Sequence, residues 1–281
     1  MGFTEKIEGK KVLISGGSRG IGLATAKLLA QKGASVTIIA RDFDRLQQAI
    51  HEIREARATE EQVISGMPVD VTKEEIVDRE IQNWIRVHGT PDILINSAGF
   101  AHPGEIEELA TDIYRKSIDI NYFGTVYLVK SVIPSMIREG KGTIVNISSA
   151  SGFLGIYGYT AYSGSKFAVR GFSEALRNEL RPKGIYVAIV YPPDTDTEQL
   201  AYEVRFKPRV TKDLAGNAGL LSPEAVAECI VNGIYRRQNI ILPGIENKFI
   251  YFLQNLFGDL TYTILDKLAC NSWKNSKSNQ K

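Results

Sequence analysis

Seven short apolar runs, most of them rich in β-branched residues, recur along the chain at Lys11–Ser15, Ser35–Ala40, Gln62–Val69, Asp92–Asn96, Thr143–Ile147, Tyr186–Val190 and Asn239–Leu242. Hydrophobicity that is continuous rather than alternating is what a strand buried on both faces requires. Between the runs lie segments of helical length and period: Ile21–Lys32, Asp42–Ala58, Lys73–His88, Asp112–Arg138, Tyr159–Arg181 and Pro223–Arg236. Strand and helix in alternation predict βαβ units around a parallel sheet with helices on both faces. Right-handed crossovers then leave few topologies. No internal repeat and no Pro/Gly/Ser-rich linker divides this body. The expected fold is α/β, a doubly wound, seven-stranded parallel sheet of Rossmann-like type, in a single domain over residues 1–244.

Two stretches break the rhythm. Pro192–Ser222 is long, mixed in charge and poorly periodic, which predicts a substrate lid rather than a packing element. In 245–281, Phe249, Leu253, Leu256, Leu260 and Ile264 recur at helical spacing, and Ile250, Phe252 and Phe257 widen the stripe. Lys248, Asp259, Asp266 and Lys267 interrupt it, so nothing here reaches the roughly 20 apolar residues that span a bilayer. Two readings stand: an amphipathic helix at a membrane interface or over a cleft mouth, or a face packed on the core or on another subunit. Asn271–Lys281 is polar and expected to be disordered.

Composition narrows the function. Of 281 residues 43% are hydrophobic, enough for a real core, and 34 Lys+Arg against 32 Asp+Glu leave a charge of only +2. Such a balance gives no footprint for nucleic acid. Cys229 and Cys270 lie too far apart in sequence to suggest a disulfide framework or a metal site, and reduced thiols fit an intracellular compartment. The polar start, Met1–Lys11, does not read as a signal peptide. The expected location is cytoplasmic, with peripheral membrane contact through 245–270, at the cytosolic face of the endoplasmic reticulum in a eukaryote.

Ser15-Gly16-Gly17-Ser18-Arg19-Gly20-Ile21-Gly22 follows the first predicted strand and opens the first helix. In that context glycines allow a tight turn and let backbone N–H groups approach a pyrophosphate at the helix N-terminus. Gly16-Gly17-Ser18-Arg19-Gly20 also fits the Gly-x-Ser-x-Gly elbow of hydrolases, with Ser18 as nucleophile. That chemistry needs a histidine late in the chain. His51, His88 and His102 all come early, which removes the hydrolase reading. After the second strand stands Ala40-Arg41-Asp42, with Arg45 a helical turn on and Arg19 in the glycine loop. Guanidiniums converging there suit the 2′-phosphate of NADPH over NADH, although Asp42 could also reach the ribose.

Tyr162 and Lys166 are four residues apart in a predicted helix and so share a face. A phenol is a poor acid-base group at neutral pH, and an ammonium beside it, helped by an oxidised nicotinamide, is expected to lower its pKa.

With these pieces in place the chain resembles the short-chain dehydrogenase/reductase family over about residues 10–245. The resemblance rests on Gly16–Gly22, Val69-Asp70-Val71, Asn96-Ser97-Ala98-Gly99, Asn121, Ile147-Ser148-Ser149, Tyr162 with Lys166, and Pro192–Thr197. It implies that Tyr162 donates a proton to a carbonyl, that a serine hydrogen-bonds the same oxygen, and that Lys166 tunes Tyr162 and holds the nicotinamide ribose. Asn121 would position a water leading to Lys166. Asp70 and Val71 would lie against adenine, Asn96, Ala98 and Gly99 beside the cofactor, and Thr195 and Thr197 near the carboxamide. The family's spacing favours Ser149 over Ser148, and adjacent strand side chains face opposite ways, so one of the two is expected to reach the site. No metal is implied, and the family's habit of pairing helices implies a dimer or tetramer.

A narrower resemblance lies in Tyr191-Pro192-Pro193-Asp194-Thr195-Asp196-Thr197, where most family members carry Pro-Gly. With Ala40-Arg41-Asp42 and Gly158–Tyr162 it looks like the 3-ketodihydrosphingosine reductases. It implies NADPH-dependent reduction of a lipid ketone. The alternatives are a reductase of a steroid or acyl ketone, or a nucleotide-sensing protein without turnover.

Overall fold

The computed structural model describes residues 6–215 and 219–278. Its strands are β1 (Lys11–Ser15), β2 (Ser35–Ala40), β3 (Ile64–Pro68), β4 (Ile93–Asn96), β5 (Gly142–Ile147), β6 (Ile185–Val190) and β7 (Ile240–Ile241). They form one sheet in the order β3-β2-β1-β4-β5-β6-β7, every pair parallel. Alternate side chains feed opposite layers. Val12, Ile14, Ile93 and Val145 enter one core with α1 (Gly20–Gln31), α2 (Phe43–Ala56) and α9 (Pro223–Tyr235). Leu13, Leu94, Ile144 and Val187 enter the other, with α3 (Glu74–His88), α5 (Gly124–Glu139) and α6 (Thr160–Leu180). This two-sided burial is why the strands read as unbroken apolar runs.

Where the observed elements depart from the expected ones, side chains explain it. The third strand starts at Ile64 rather than Gln62, because the buried Gln62 amide donates sideways to Ala30 O and Ala34 O at 2.8 and 2.6 Å. The helix expected over Asp112–Arg138 is split into α4 (Thr111–Ile118), a wide π-type turn at Asp119–Phe123, and α5. The π-type turn carries the buried Asn121, whose side chain is tied to residues outside the helix. Such turns mark functional sites more often than chance.

Pro192–Ser222 is more structured than a bare lid. It holds α7 (Glu198–Glu203), capped by Thr197 Oγ1 accepting from Leu200 N at 3.3 Å, and α8 (Arg209–Ala215). It closes on itself where Asp196 N donates to Leu221 O at 2.9 Å.

The C-terminal stretch forms α10 (Ile245–Phe257) and α11 (Asp259–Ser278), broken at Gly258 where φ is +48°. The helix therefore continues through Asn271–Ser278, a stretch expected to be disordered; residues 279–281 lie outside the described residues. The face that packs is not the regular stripe. Tyr251 and Leu265 lie against Phe153 and Tyr191, Asn247 Nδ2 donates to Tyr191 O, and Ser272 Oγ to Asp213 Oδ2. Phe249, Leu256, Leu260 and Ile264 point outward, each more than half exposed. Among the described residues, no helix is long and apolar enough to cross a membrane.

Candidate active site

Strand order reverses at β1, which is flanked by β2 and β4, and a crevice opens at the carboxyl ends of such strands. Here it is a cleft of about 1410 Å³. The glycine turn forms its floor between β1 and α1. Gly16 has φ +68°, and a Cβ on it would lie 2.7 Å from Ala98; a Cβ on Gly22 would lie 2.2 Å from Gly16 O. Only glycine permits either approach. The N-terminus of α1 has no side-chain cap and no acidic residue in its first turn. Its free N–H groups and positive dipole end are therefore available to an anion, and Ser18, Arg19, Gly20 and Ile21 line the cleft beside them. This cradle fits a pyrophosphate.

Asp70, Val71, Ala98 and Gly99 wall the same end. Arg19 and Arg45 are brought together, their Nη1 atoms 3.5 and 2.5 Å from one carboxylate oxygen, Oε2 of Glu198. Arg41 lies on the same wall, exposed. Asp42 instead caps α2, accepting from Arg45 N at 3.1 Å. Glu198 carried no sequence signal, since it meets Arg45 across 153 residues.

Two expected site residues stand back from the cleft. Asn96 is buried and donates its amide to Asn146 Oδ1 at 2.8 Å, cross-linking β4 and β5. Asn121 accepts from Phe100 N at 2.7 Å and donates to Phe100 O at 2.9 Å and Ser165 Oγ at 2.8 Å. Its side chain thus fastens the loop after β4 to α6, and its Oδ1 and Lys166 Nζ both border Gly99, 3.6 and 3.7 Å from where a Cβ there would stand. Pro192, Thr195 and Thr197 do line the cleft, from the segment that leaves β6.

Tyr162 and Lys166 project from adjacent turns of α6, both more than nine-tenths buried. Lys166 Nζ donates to Ile147 O at 2.9 Å and sits 5.6 Å from the centre of the Tyr162 ring. Both serines lie just past the end of β5 and line the cleft. Ser148 Oγ donates to Lys166 O at 3.0 Å, whereas Ser149 Oγ accepts from Ser151 N at 3.2 Å and acts to lower the pKa of the Tyr162 phenol.

The electrostatics reverse one expectation. Burial, then the charges of Glu203 and Asp194, hold the Tyr162 phenol above its ordinary pKa, and only Ser149 opposes them. Burial also pulls the Lys166 ammonium down to about 8, opposed by Glu203. Desolvation is the largest cause at both groups. The phenol is thus kept protonated, which is the form that can give a proton to an acceptor.

Sequence reasoning missed a further group. Glu203, on the last turn of α7, is buried in the cleft wall. Its Oε2 accepts from the Tyr159 phenol at 2.6 Å and its Oε1 from Gln199 Nε2 at 3.0 Å. The Tyr159 and Tyr162 ring centres are 5.8 Å apart. Burial raises the Glu203 carboxyl above the ordinary carboxylate value against the pull of these partners and of Lys207. Lys207 Nζ itself pairs with Asp194 Oδ2 at 2.7 Å.

Comparison with known proteins adds independent findings. Residues 10–207 match the short chain dehydrogenase family. The chain is 40% identical over 230 residues to a 3-dehydrosphinganine reductase of Danio rerio, covering 80% of this chain and 68% of that one. It is 38% identical over 248 residues to a 3-ketodihydrosphingosine reductase of Dictyostelium discoideum, covering 82% and 73%. Among solved structures, an NAD+-bound xylitol dehydrogenase superposes with a TM-score of 0.75 at 25% identity, covering 82% and 94%.

Proposed function

The chain belongs to the short-chain dehydrogenase family, and from that premise we propose that it reduces the 3-keto group of a long-chain sphingoid base with NADPH. It is an oxidoreductase, and a nicotinamide cofactor supplies the hydride when bound. The glycine turn and the N-terminus of α1 hold the pyrophosphate, and Arg41 with Arg45 and Arg19 grips the 2′-phosphate. Tyr162 gives its proton to the carbonyl oxygen as the carbon becomes tetrahedral, and Ser149 donates a hydrogen bond to the same oxygen. Lys166 holds the nicotinamide ribose and the local field around the phenol. Asn121 acts at one remove, keeping the loop after β4 against α6.

The observation that carries this reading is the buried Tyr162–Lys166 pair on adjacent turns of α6, with Ser149, in the cleft that also contains the glycine turn. The test is NADPH oxidation over a panel of ketosphinganine, ketosteroid and β-ketoacyl substrates. Ketosphinganine is expected to give the highest kcat/KM. A preference for another ketone moves the substrate class, and no turnover of any would favour a nucleotide-binding protein without catalysis.

Cofactor choice has its own test. Arg41→Ala is expected to raise the KM for NADPH about tenfold or more while leaving NADH nearly unchanged, because a charge-assisted hydrogen bond to the phosphate is lost. Equal rises for both cofactors would mean that the 2′-phosphate is held elsewhere.

The outward stripe on α10 and α11 supports contact with a lipid surface. Phe249, Leu256, Leu260 and Ile264 are exposed, while Ile250 on α10 and Leu265 and Ala269 on α11 line the cleft. Exposed apolar residues of both helices thus stand next in sequence to residues of the cleft wall, which suits a single-chain lipid entering from a surface. Phe249→Asp combined with Leu256→Asp is expected to lower binding to phosphatidylcholine vesicles at least about tenfold, from the apolar burial removed. Unchanged sedimentation with vesicles would assign the stripe to a protein contact instead.

A further inference from the structure

We propose that Glu203 is the specificity group of this cleft, accepting the ammonium that a sphingoid ketone carries on the carbon beside its carbonyl. The inference rests on the sphingoid reading above and deepens it. Among the described residues Glu203 has no salt bridge, although it is 94% buried (6% exposed). The two cations whose charges couple to it are engaged elsewhere, Lys207 by Asp194 Oδ2 and Lys166 by Ile147 O. A buried carboxylate carries a desolvation penalty unless a charge or several donors compensate it. Tyr159 and Gln199 each give one neutral hydrogen bond to a different oxygen. A carboxylate oxygen can accept two, so each retains a site for a further donor.

Position points the same way. The Tyr159 ring that donates to Glu203 lies against the Tyr162 ring, and the charge of Glu203 is felt at both Tyr162 and Lys166. A carbonyl held at the Tyr162 phenol therefore puts an amine on the adjoining carbon into the neighbourhood of Glu203. The surrounding wall is acidic as well. The Pro192–Ser222 segment, α10 and α11 contribute Asp194, Glu198, Glu203, Glu246 and Asp266 to the cleft, against Lys207 alone among the described residues. Glu198 is neutralised by Arg19 and Arg45, and Asp194 by Lys207. Glu203 is the buried member of this set without a cationic partner. A neutral steroid or acyl ketone offers it nothing, whereas a protonated amino ketone supplies the missing charge and up to three N–H donors.

The experiment compares kcat/KM for 3-ketosphinganine and for the same long-chain 3-ketone lacking the amine, in the wild-type protein and in Glu203→Gln. Glutamine keeps the size and an acceptor for Tyr159 but not the charge. The ratio of the two constants does not depend on the fraction of folded enzyme, so partial misfolding does not obscure the result. The wild type is expected to prefer the amino ketone, and Glu203→Gln to lower that preference about ten- to a hundredfold. If the variant loses activity on both ketones in equal proportion, Glu203 only props the wall and the inference is overturned. If the wild type turns over the deamino ketone as well as the amino ketone, amine recognition fails while the lipid-ketone reading stands. Turnover of neither removes the sphingoid reading, and this inference with it.

Discussion

Replacing Tyr162 with phenylalanine is expected to lower kcat for ketone reduction by about 10²–10⁴-fold, with NADPH still bound at nearly wild-type affinity. The substitution removes one oxygen from a buried ring and leaves the glycine turn, the arginines and Lys166 in place. What disappears is the phenol that shares the cleft with Ser149 and Lys166. Ser149 alone can still polarise the carbonyl but gives up its proton far less readily, so residual turnover comes from orientation and hydrogen bonding. The raised pKa of the phenol also sets the pH behaviour. The donor form persists through neutral and mildly alkaline pH, so a change in reduction rate between pH 7 and 9 reports Lys166, whose own value is about 8. Turnover retained within about tenfold in Tyr162→Phe would exclude the phenol as proton donor.

Lys166→Met carries the second large effect, and it has opposite signs for function and stability. Turnover is expected to fall about 10²-fold or more, because the ribose contact and the ammonium beside the phenol are both lost. Stability without cofactor is expected to hold or rise. Burial takes Lys166 from 10.5 to about 8, so between those values the unfolded chain binds the proton that the folded protein has released. Stability then rises with pH from about 8 to about 10.5, and the burial penalty is fully present below about 8. That shift corresponds to about 3 kcal/mol. Loss of the hydrogen bond to Ile147 O gives back about 1–3 kcal/mol. A thermal melt of the variant at pH 7 should therefore lie at or a few degrees above the wild type, with the gap closing by pH 10. A clear fall in Tm at pH 7 would mean that the ammonium stabilises the fold.

Much of this architecture is legible in the sequence because the signals are local. Continuous apolar runs place all seven strands to within two residues at each end, as burial on both faces leads one to expect. The glycine turn and the Tyr162–Lys166 spacing are likewise set within one junction and one helix. The features that escape are those decided at long range. The π-type turn depends on Asn121 meeting Phe100 and Ser165, and nothing in 112–138 announces it. Glu198 and Glu203 sit in a segment without periodicity and acquire their roles only when it folds across α1, α2 and α6. The stripe in 249–264 is visible as a pattern, yet its direction is set by Gly258, Tyr251 and Leu265, which turn the other face inward. Strand pairing and helix period are read from neighbours in sequence; charge pairing across a cleft is not.

The most direct measurement of the central claim is a crystal structure of the protein with NADP+ and sphinganine. The account predicts the Tyr162 hydroxyl and Ser149 Oγ both within hydrogen-bond distance of the product's C3 hydroxyl. Lys166 should lie at the nicotinamide ribose. A product hydroxyl held by other groups, with the phenol turned away from the nicotinamide ring, would contradict it.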